Sequence, residues 1–258
     1  MARNAEWIGP NQPTGLSSKG GRAPLRSFLY FVAPVMEKIA ESKLHFDVET
    51  TPPLEMLAAL RTSRGVAISS VDLTNARGHD FIGCGFREIA ETVVQGSIGD
   101  FGFCSFGDGE CKVSGNVGDY FGHSIVSGIL IVRGNAMHSV GALGTGGLIA
   151  VYGDAGDRAA VGAQGADIVI RGSVGSLAGL GMQSGTLIVG GAAGNNFGKG
   201  LRGGTIYIRG EAESISPDVE EQRLREPDRL KIGMLMLKSN IKSTGKEFRV
   251  FRSTHTET

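Results

Sequence analysis

Residues 115–133, GNVGDYFGHSIVSGILIVR, and residues 172–190, GSVGSLAGLGMQSGTLIVG, are one pattern written twice. The pattern extends in both directions. Gly96, Gly115, Gly134, Gly153, Gly172, Gly191 and Gly210 stand nineteen residues apart, and further glycines recur three, seven and thirteen residues beyond most of these anchors. Self-similarity at a fixed period means one supersecondary unit stacked on copies of itself.

The residues between the glycines identify the unit. Two positions before the anchors stand Val94, Val113, Val132, Val151, Ile170, Val189 and Ile208, all β-branched. Four positions before them stand Thr92, Cys111, Leu130, Ile149, Ile168, Leu187 and Ile206. These offsets differ by two, so both side chains leave the same face of a strand. Two positions after the anchors come Ile98, Val117, Ala136, Ala155, Val174, Ala193 and Ala212, smaller and still apolar. Each period reads as a strand, a glycine corner, a short second strand and another corner. Nineteen residues are too few for a βαβ unit, which needs about thirty. The expected fold is mainly β: a single-stranded right-handed parallel β-helix of about seven 19-residue coils, with a small α/β N-terminal appendage and a helical C-terminal one. At about 4.8 Å per coil the prism is roughly 30 Å tall.

Glycine makes up 41 of the 258 residues without a strict G-X-Y repeat, so the excess belongs to corners and not to collagen. A glycine held in regular structure costs about 0.5–1 kcal/mol. Burial of a Val, Leu or Ile side chain contributes about 1.5–3 kcal/mol, so two or three of them per coil offset its corners. Lys plus Arg equals Asp plus Glu, 26 against 26, and this neutrality gives no reason to expect nucleic acid or an acidic membrane as partner. No apolar run approaches the roughly eighteen residues of a membrane span. The N-terminus lacks a signal-peptide layout. Three cysteines without dense spacing fit a reducing compartment, and a cytoplasmic location is expected.

Residues 1–43 read as an extended arm, with Pro10, Pro13, Pro24 and several glycines in polar filler. Trp7 is either part of a mobile tail or an anchor for a partner subunit. Leu25 to Ser42 carries an apolar helical pattern. Residues 44–90 form a small α/β segment capping the stack: a strand over 44–49, a helix from Pro52 or Pro53 to about Arg61, a strand over 66–73, and the glycine-rich bridge NARGHDFIGCGF, a degenerate first coil. The repeat proper covers 91–212. Residues 213–258 hold a charged helix with Leu224, Leu230, Met234 and Leu237 on one side, Pro227 dividing it or not, and the strand EFRVFRS. This tail covers the last coil, whose edge would otherwise invite aggregation.

Catalytic and ligand-binding patterns are sparse. Cys84, Cys104 and Cys111 contain no C-x-x-C pair, and Cys111 occupies a core-facing position, where cysteine acts as a small hydrophobe. His123 and His138 lie on successive coils at offsets eight and four, and approach each other only if the two turns face one side. The glycine runs superficially resemble dinucleotide fingerprints, but such a fingerprint occurs once, between a strand and a helix. P-loop and G-x-S-x-G patterns are absent from the sequence, and Met1 is followed by Ala2, so no N-terminal cysteine nucleophile is expected. Arg133, Arg171 and Arg209 precede alternate anchors as either a solvated face or a docking stripe for an acidic partner. Asn116, Asn135 and Asp154 suit hydrogen bonding at the corners. No residue is assigned to catalysis, to a cofactor or to a metal.

SGNVGDYFG, RGSVGSLAG and GGAAGNNFG, each followed six residues later by glycine, resemble the G-x-G-x-G domain of glutamate synthases. The C subunit of formylmethanofuran dehydrogenase shares that β-helix. Outside the coils, FDVETTPPLEMLAALR, NARGHDFIG and EFRVF resemble the free-standing small subunit of N-methylglutamate synthase (methylamine–glutamate N-methyltransferase). The resemblance covers about residues 44–252. It implies a scaffold without catalytic residues of its own. The implied partners are a glutaminase-type subunit, class II amidotransferase-like, and an FMN-binding synthase subunit with an iron–sulfur cluster. The alternative is a C-type scaffold in a formyltransferase-hydrolase complex.

Overall fold

The glycine anchors close the coils of a stack. The computed structural model describes residues 42–62, 68–242, 245 and 247–254, all within one compact unit. Residues 1–41, with Trp7 and nearly all of the helical pattern at 25–42, lie outside the described residues. So do residues 66–67, at the head of the expected strand, and His255. The strands are β1 (Ser42–Asp47), β2 (Ile68–Thr74), β3 (Ile89–Val94), β4 (Glu110–Val113), β5 (Ile129–Val132), β6 (Leu148–Val151), β7 (Gln164–Ile170), β8 (Ser184–Val189), β9 (Thr205–Ile208), β10 (Val219–Gln222) and β11 (Arg249–Ser253). Two helices are described, α1 (Pro53–Thr62) and α2 (Glu226–Lys238).

All eleven strands share one sheet, in chain order from β1 to β9 and then β11 and β10. β1 to β9 run parallel, each pairing with the strand one turn later. Leu130 lies over Ile149 and Val132 over Val151, so equivalent positions of the repeat stack in register. The short second strand is a column of parallel bridges, Ile98–Val117–Ala136–Ala155–Val174–Ala193–Ala212. The result is a β-solenoid of about seven turns at nineteen-residue spacing.

The interior is a set of columns. Val113, Val132, Val151, Ile170, Val189 and Ile208 are wholly buried, as are Cys111, Leu130, Ile149, Ile168, Leu187 and Ile206. Two further inward columns lie six and ten residues past the anchors. They hold Phe121, Val140, Ala159, Ala178 and Phe197 in one, and Phe106, Ile125, Ala163, Met182 and Leu201 in the other. Phe103 meets Phe106 and Phe121 edge to face in the early coils, while the middle coils hold Ala159, Ala163 and Ala178 in these columns.

The corners divide their backbone demands. A Cβ on anchor Gly134 would lie 2.7 Å from the Gly115 carbonyl oxygen, a distance real Cβ atoms avoid, so close approach of coils excludes side chains there. Gly128, thirteen past its anchor, has φ +81° and supplies a left-handed turn. A second left-handed position, five past the anchors, holds no glycine. Phe101, Tyr120, Ser139, Arg158, Leu177 and Asn196 all have φ between 56° and 62° there. This conformation costs about 1–2 kcal/mol per residue. It aims the N–H of the first five at a carbonyl of the next coil, as from Tyr120 to His138 at 2.9 Å and from Leu177 to Asn195 at 2.7 Å, and that of Asn196 at Ser214 Oγ at 2.8 Å.

The segment before the repeat is a strand, a helix and a strand: β1 and β2 pair in parallel around α1 and extend the sheet. The bridge after β2 forms a coil, since Phe81 donates to Asp100 O and Gly85 to Cys104 O, each at 2.8 Å. At the other end β11 pairs antiparallel with β9 and β10 with β11, covering the edge of the last coil. Pro227 lies in the first turn of α2, where its missing N–H has no intrahelical partner to lose, and it does not divide the helix. α2 buries the side opposite to the one its pattern suggested. Leu230, Met234 and Leu237 are 66%, 47% and 80% exposed, while Asp228, Ile232, Leu235 and Met236 are buried. The partners set the face. A second apolar cluster joins Ile232, Leu235 and Met236 to Leu148, Val169, Ile188 and Tyr207 on the outward side of the sheet.

Candidate functional site

The chemistry-bearing side chains of the coils lie in columns, and their partners lie one coil further along the chain. At the first residue past the anchors, Asn116 Oδ1 accepts the Asn135 N–H at 2.8 Å. Asn135 Oδ1 accepts from Asp154 at 2.9 Å, and Asp154 Oδ1 from Ser173 at 2.7 Å. Corner hydrogen bonding is thus the observed role of these three.

A second polar ladder stands at the fourth residue past the anchors. Asp100 Oδ1 accepts the Asp119 N–H at 2.7 Å, Asp119 Oδ1 that of His138 at 2.8 Å, His138 Nδ1 that of Asp157 at 2.9 Å, and Asp157 Oδ1 that of Ser176 at 2.8 Å. An acceptor Nδ1 fixes the neutral His138 ring as the Nε2–H tautomer. Sequence spacing alone passed over this ladder, although Asp, Asp, His, Asp and Ser at one offset were its signal. His123 belongs to another column, eight past its anchor. Its Nδ1 lies 3.0 Å from Ser124 Oγ and its ring meets Phe101 and Tyr120 edge-on. The structure gives the two histidines different partners and does not pair them.

Two of the three arginines are engaged within the chain. The Arg133 guanidinium lies 4.4 Å from the centre of the Tyr152 ring, and the Tyr152 hydroxyl donates to Ser239 O at 2.8 Å, beyond the end of α2. Arg209 Nε donates to Gly190 O at 2.7 Å. Arg171 is exposed. Beneath α2 a buried network is centred on Asp228. Its carboxylate accepts from Tyr207 Oη at 2.9 Å, from the Arg225 N–H at 2.8 Å and from the Arg252 guanidinium. Burial pushes Asp228 up, and the Arg225 amide, Tyr207 and Arg252 more than offset it, so its pKa lies below the ordinary aspartate value. Burial first, and then the Asp228 carboxylate, raise Tyr207.

A shallow concavity of about 500 Å³ runs along the late coils between Asp157, Ser176, Ala193, Glu211 and Glu213. Its acids have partners: Asp157 in the ladder, Glu211 with Arg249 Nη1 at 2.7 Å, and Glu213 with Asn195 Nδ2 at 2.6 Å. Among the described residues no group of three or more His, Cys, Asp or Glu side chains is arranged to hold a metal, and no helix is long and apolar enough to cross a membrane.

The first coils carry a different surface. Phe81, Phe101 and Tyr120 stack nearly parallel at 5.4 and 4.9 Å, with Phe81 59% exposed. Beside them Cys84 and Cys104 bring their sulfurs to 2.6 Å. The lack of C-x-x-C spacing hides this pair. Its signal is a separation of twenty residues, one coil plus one inserted residue. Cys111 points inward and is fully buried.

The GXGXG motif family model matches residues 63–250. No curated protein matches the chain.

Proposed function

Because the chain belongs to the GXGXG motif family and carries a glutamate synthase-type domain, we propose that it is the scaffold subunit of a glutamate synthase-like enzyme of the N-methylglutamate synthase type. In this reading a glutaminase-type subunit releases ammonia from an amide. An FMN-binding synthase subunit with an iron–sulfur cluster uses ammonia or methylamine to build the amino acid. The solenoid holds the two active sites at a fixed separation in the cytoplasm and shields the path between them. Shielding matters because free amine that escapes is diluted and protonated, and reactive intermediates hydrolyse in water. A stiff body fixes such a distance better than loops do.

The observation that carries the reading is the use of polar side chains. In the ladder from Asp80 through Asp100, Asp119, His138, Asp157 and Ser176, each side chain accepts a backbone N–H of the following coil. Groups that would be nucleophiles or bases in an enzyme here fasten coil to coil. That favours a rigid spacer over a catalyst.

The test is a native pull-down of the full chain from its own cells, followed by activity of the recovered complex with and without this subunit. The expected partners are a glutaminase-type chain and an FMN synthase. Loss of the scaffold is expected to leave amide hydrolysis running while amide-dependent synthesis falls. Full coupling without it would overturn the reading, as would turnover by the purified chain alone. A metal hydrolase with a formyltransferase among the partners would replace it with the formyl-transfer complex.

A further inference from the structure

We propose that Cys84 and Cys104 form an oxidisable dithiol, a modification site that reacts with peroxides and small disulfides and closes a covalent staple between the first two glycine-rich coils. The two residues stand on neighbouring turns, and the backbone between those turns is pinned on both sides of the pair. Phe103 donates to Ile82 O at 2.7 Å and Gly85 to Cys104 O at 2.8 Å. Neighbouring coils are about 4.8 Å apart, inside the Cα separation of about 4.4–6.8 Å that a disulfide spans. The sulfurs already touch at 2.6 Å. Both residues are half-buried, which leaves them open to a small oxidant. Neither has a place in the polar ladders or the buried network described above.

The two sulfurs have different roles. Cys84 Sγ lies 2.9 Å from the Phe101 carbonyl oxygen, to which its S–H donates. Burial, and then the bond from Cys104, push the Cys84 thiol up to about 12, so it keeps its proton. With the Cys84 S–H held by the Phe101 carbonyl, Cys104 is the attacking sulfur. As thiolate it attacks one peroxide oxygen, the O–O bond breaks, and an alcohol or water leaves with the proton Cys104 gave up. The Cys84 sulfur then attacks the sulfenic sulfur, the S–S bond forms, and the displaced hydroxide takes the Cys84 proton and leaves as water. Two thiols and one peroxide give one disulfide, one alcohol or water, and one water. Two electrons pass to the peroxide, and a dithiol reductant reverses the change.

The staple closes a twenty-residue loop and ties the bridge coil, which carries Phe81, to the regular stack. The full reduced chain, treated with hydrogen peroxide or oxidised glutathione, then alkylated and digested with trypsin without reduction, tests this. The expected product is residues 78–87 linked to residues 88–112 through Cys104, as fragmentation would establish, with Cys111 alkylated. Cys84→Ser and Cys104→Ser each abolish the link, Cys111→Ser keeps it, and dithiothreitol removes it. The linked chain is expected to melt higher than the reduced chain. Recovery of both cysteines alkylated, over-oxidised or joined only to glutathione would overturn the site. Equal melting temperatures for linked and reduced chain would overturn the staple.

Discussion

The outward sides of β3–β4 and of β6–β9 belong to coils of the same length with matching inward columns, yet they face different surroundings. The outward residues of the early strands are mostly polar: beside Val93 stand Glu91, Glu110 and Lys112, with Lys112 Nζ at 2.8 Å from Glu91 and 3.2 Å from Glu110. On the later strands the same columns hold Leu148, Val169, Ile188 and Tyr207, buried with Ile232, Leu235 and Met236 of α2, with Phe248, and with Val250 of β11. Inward columns and corner glycines make a coil. Outward columns decide whether it faces solvent or a neighbouring element. In a solenoid those decisions are separable, because each repeat touches only its neighbours and whatever lies on its outer face.

The sharpest way to break the contrast is to give a covered coil the outer face of an open one. Ile188 is wholly buried under the C-terminal cluster. Ile188→Asp would place an unpaired carboxylate there, at a cost of about 4 kcal/mol in denaturant unfolding. Hydrogen exchange should show the loss concentrated in α2 and β11, with the stack from β3 to β6 still protected. Uniform loss of protection from β3 to β9 would mean that the solenoid and its cover do not behave as separate parts.

Asp228 comes next in size. It joins α2 to Tyr207 of β9 and Arg252 of β11 with 5% of its side chain exposed. Asp228→Asn keeps the shape and removes the charge opposite Arg252, at a cost of about 3 kcal/mol. The same group makes the cover acid-sensitive. Its folded pKa is lowered. Its contribution is therefore complete above the ordinary aspartate value of about 3.9 and disappears as pH falls through the lowered one. Between neutral pH and that range the wild type should lose stability faster than Asp228→Asn, measured by melting temperature against pH. Parallel curves would exclude Asp228 as the source.

The sequence showed the coil far better than its cover, for a physical reason. A period of nineteen acts on seven copies of each inward position, so Val132 or Ile168 is read against six equivalents. α2 occurs once. Its segment places Leu230, Ile232, Met234, Leu235, Met236 and Leu237 around most of the helix, so periodicity did not identify the buried face. The missing information lay in the sheet: Ile131, Ala150, Val169, Ile188 and Tyr207 at the third residue before successive anchors are apolar where Lys112 is not. The cysteine pair was hidden because the first coil has one extra residue, which moves Cys84 off the nineteen-residue grid. The left-handed corner at Phe101, Tyr120 and Leu177 was hidden because bulky side chains rarely take that conformation.

Inside the stack the contrast should vanish, and Thr92 checks this. It occupies the column filled elsewhere by Leu, Ile or Cys, is 1% exposed, and its hydroxyl finds no partner among the described residues. Thr92→Val removes that unsatisfied group at nearly constant volume and should raise stability by about 1 kcal/mol. A loss of stability would show that the hydroxyl has a partner the interior requires.

Lys112 is the smallest case and the direct counterpart of Ile188. Its side chain is 37% exposed, and its pKa is raised by the bond to Glu91 and then the bond to Glu110. A raised lysine pKa means a contribution present at neutral pH and lost only as pH rises through the raised value, above about 10.4. Solvent screens such pairs, so Lys112→Ala should cost only about 0.5 kcal/mol at low salt and less at high salt. Since α2 packs against the later strands, hydrogen exchange of α2 should be unchanged. A cost near that of Ile188→Asp would mean that the outward face of β4 is tied to the rest of the molecule as firmly as that of β8, and the two ends of the sheet would no longer differ in kind.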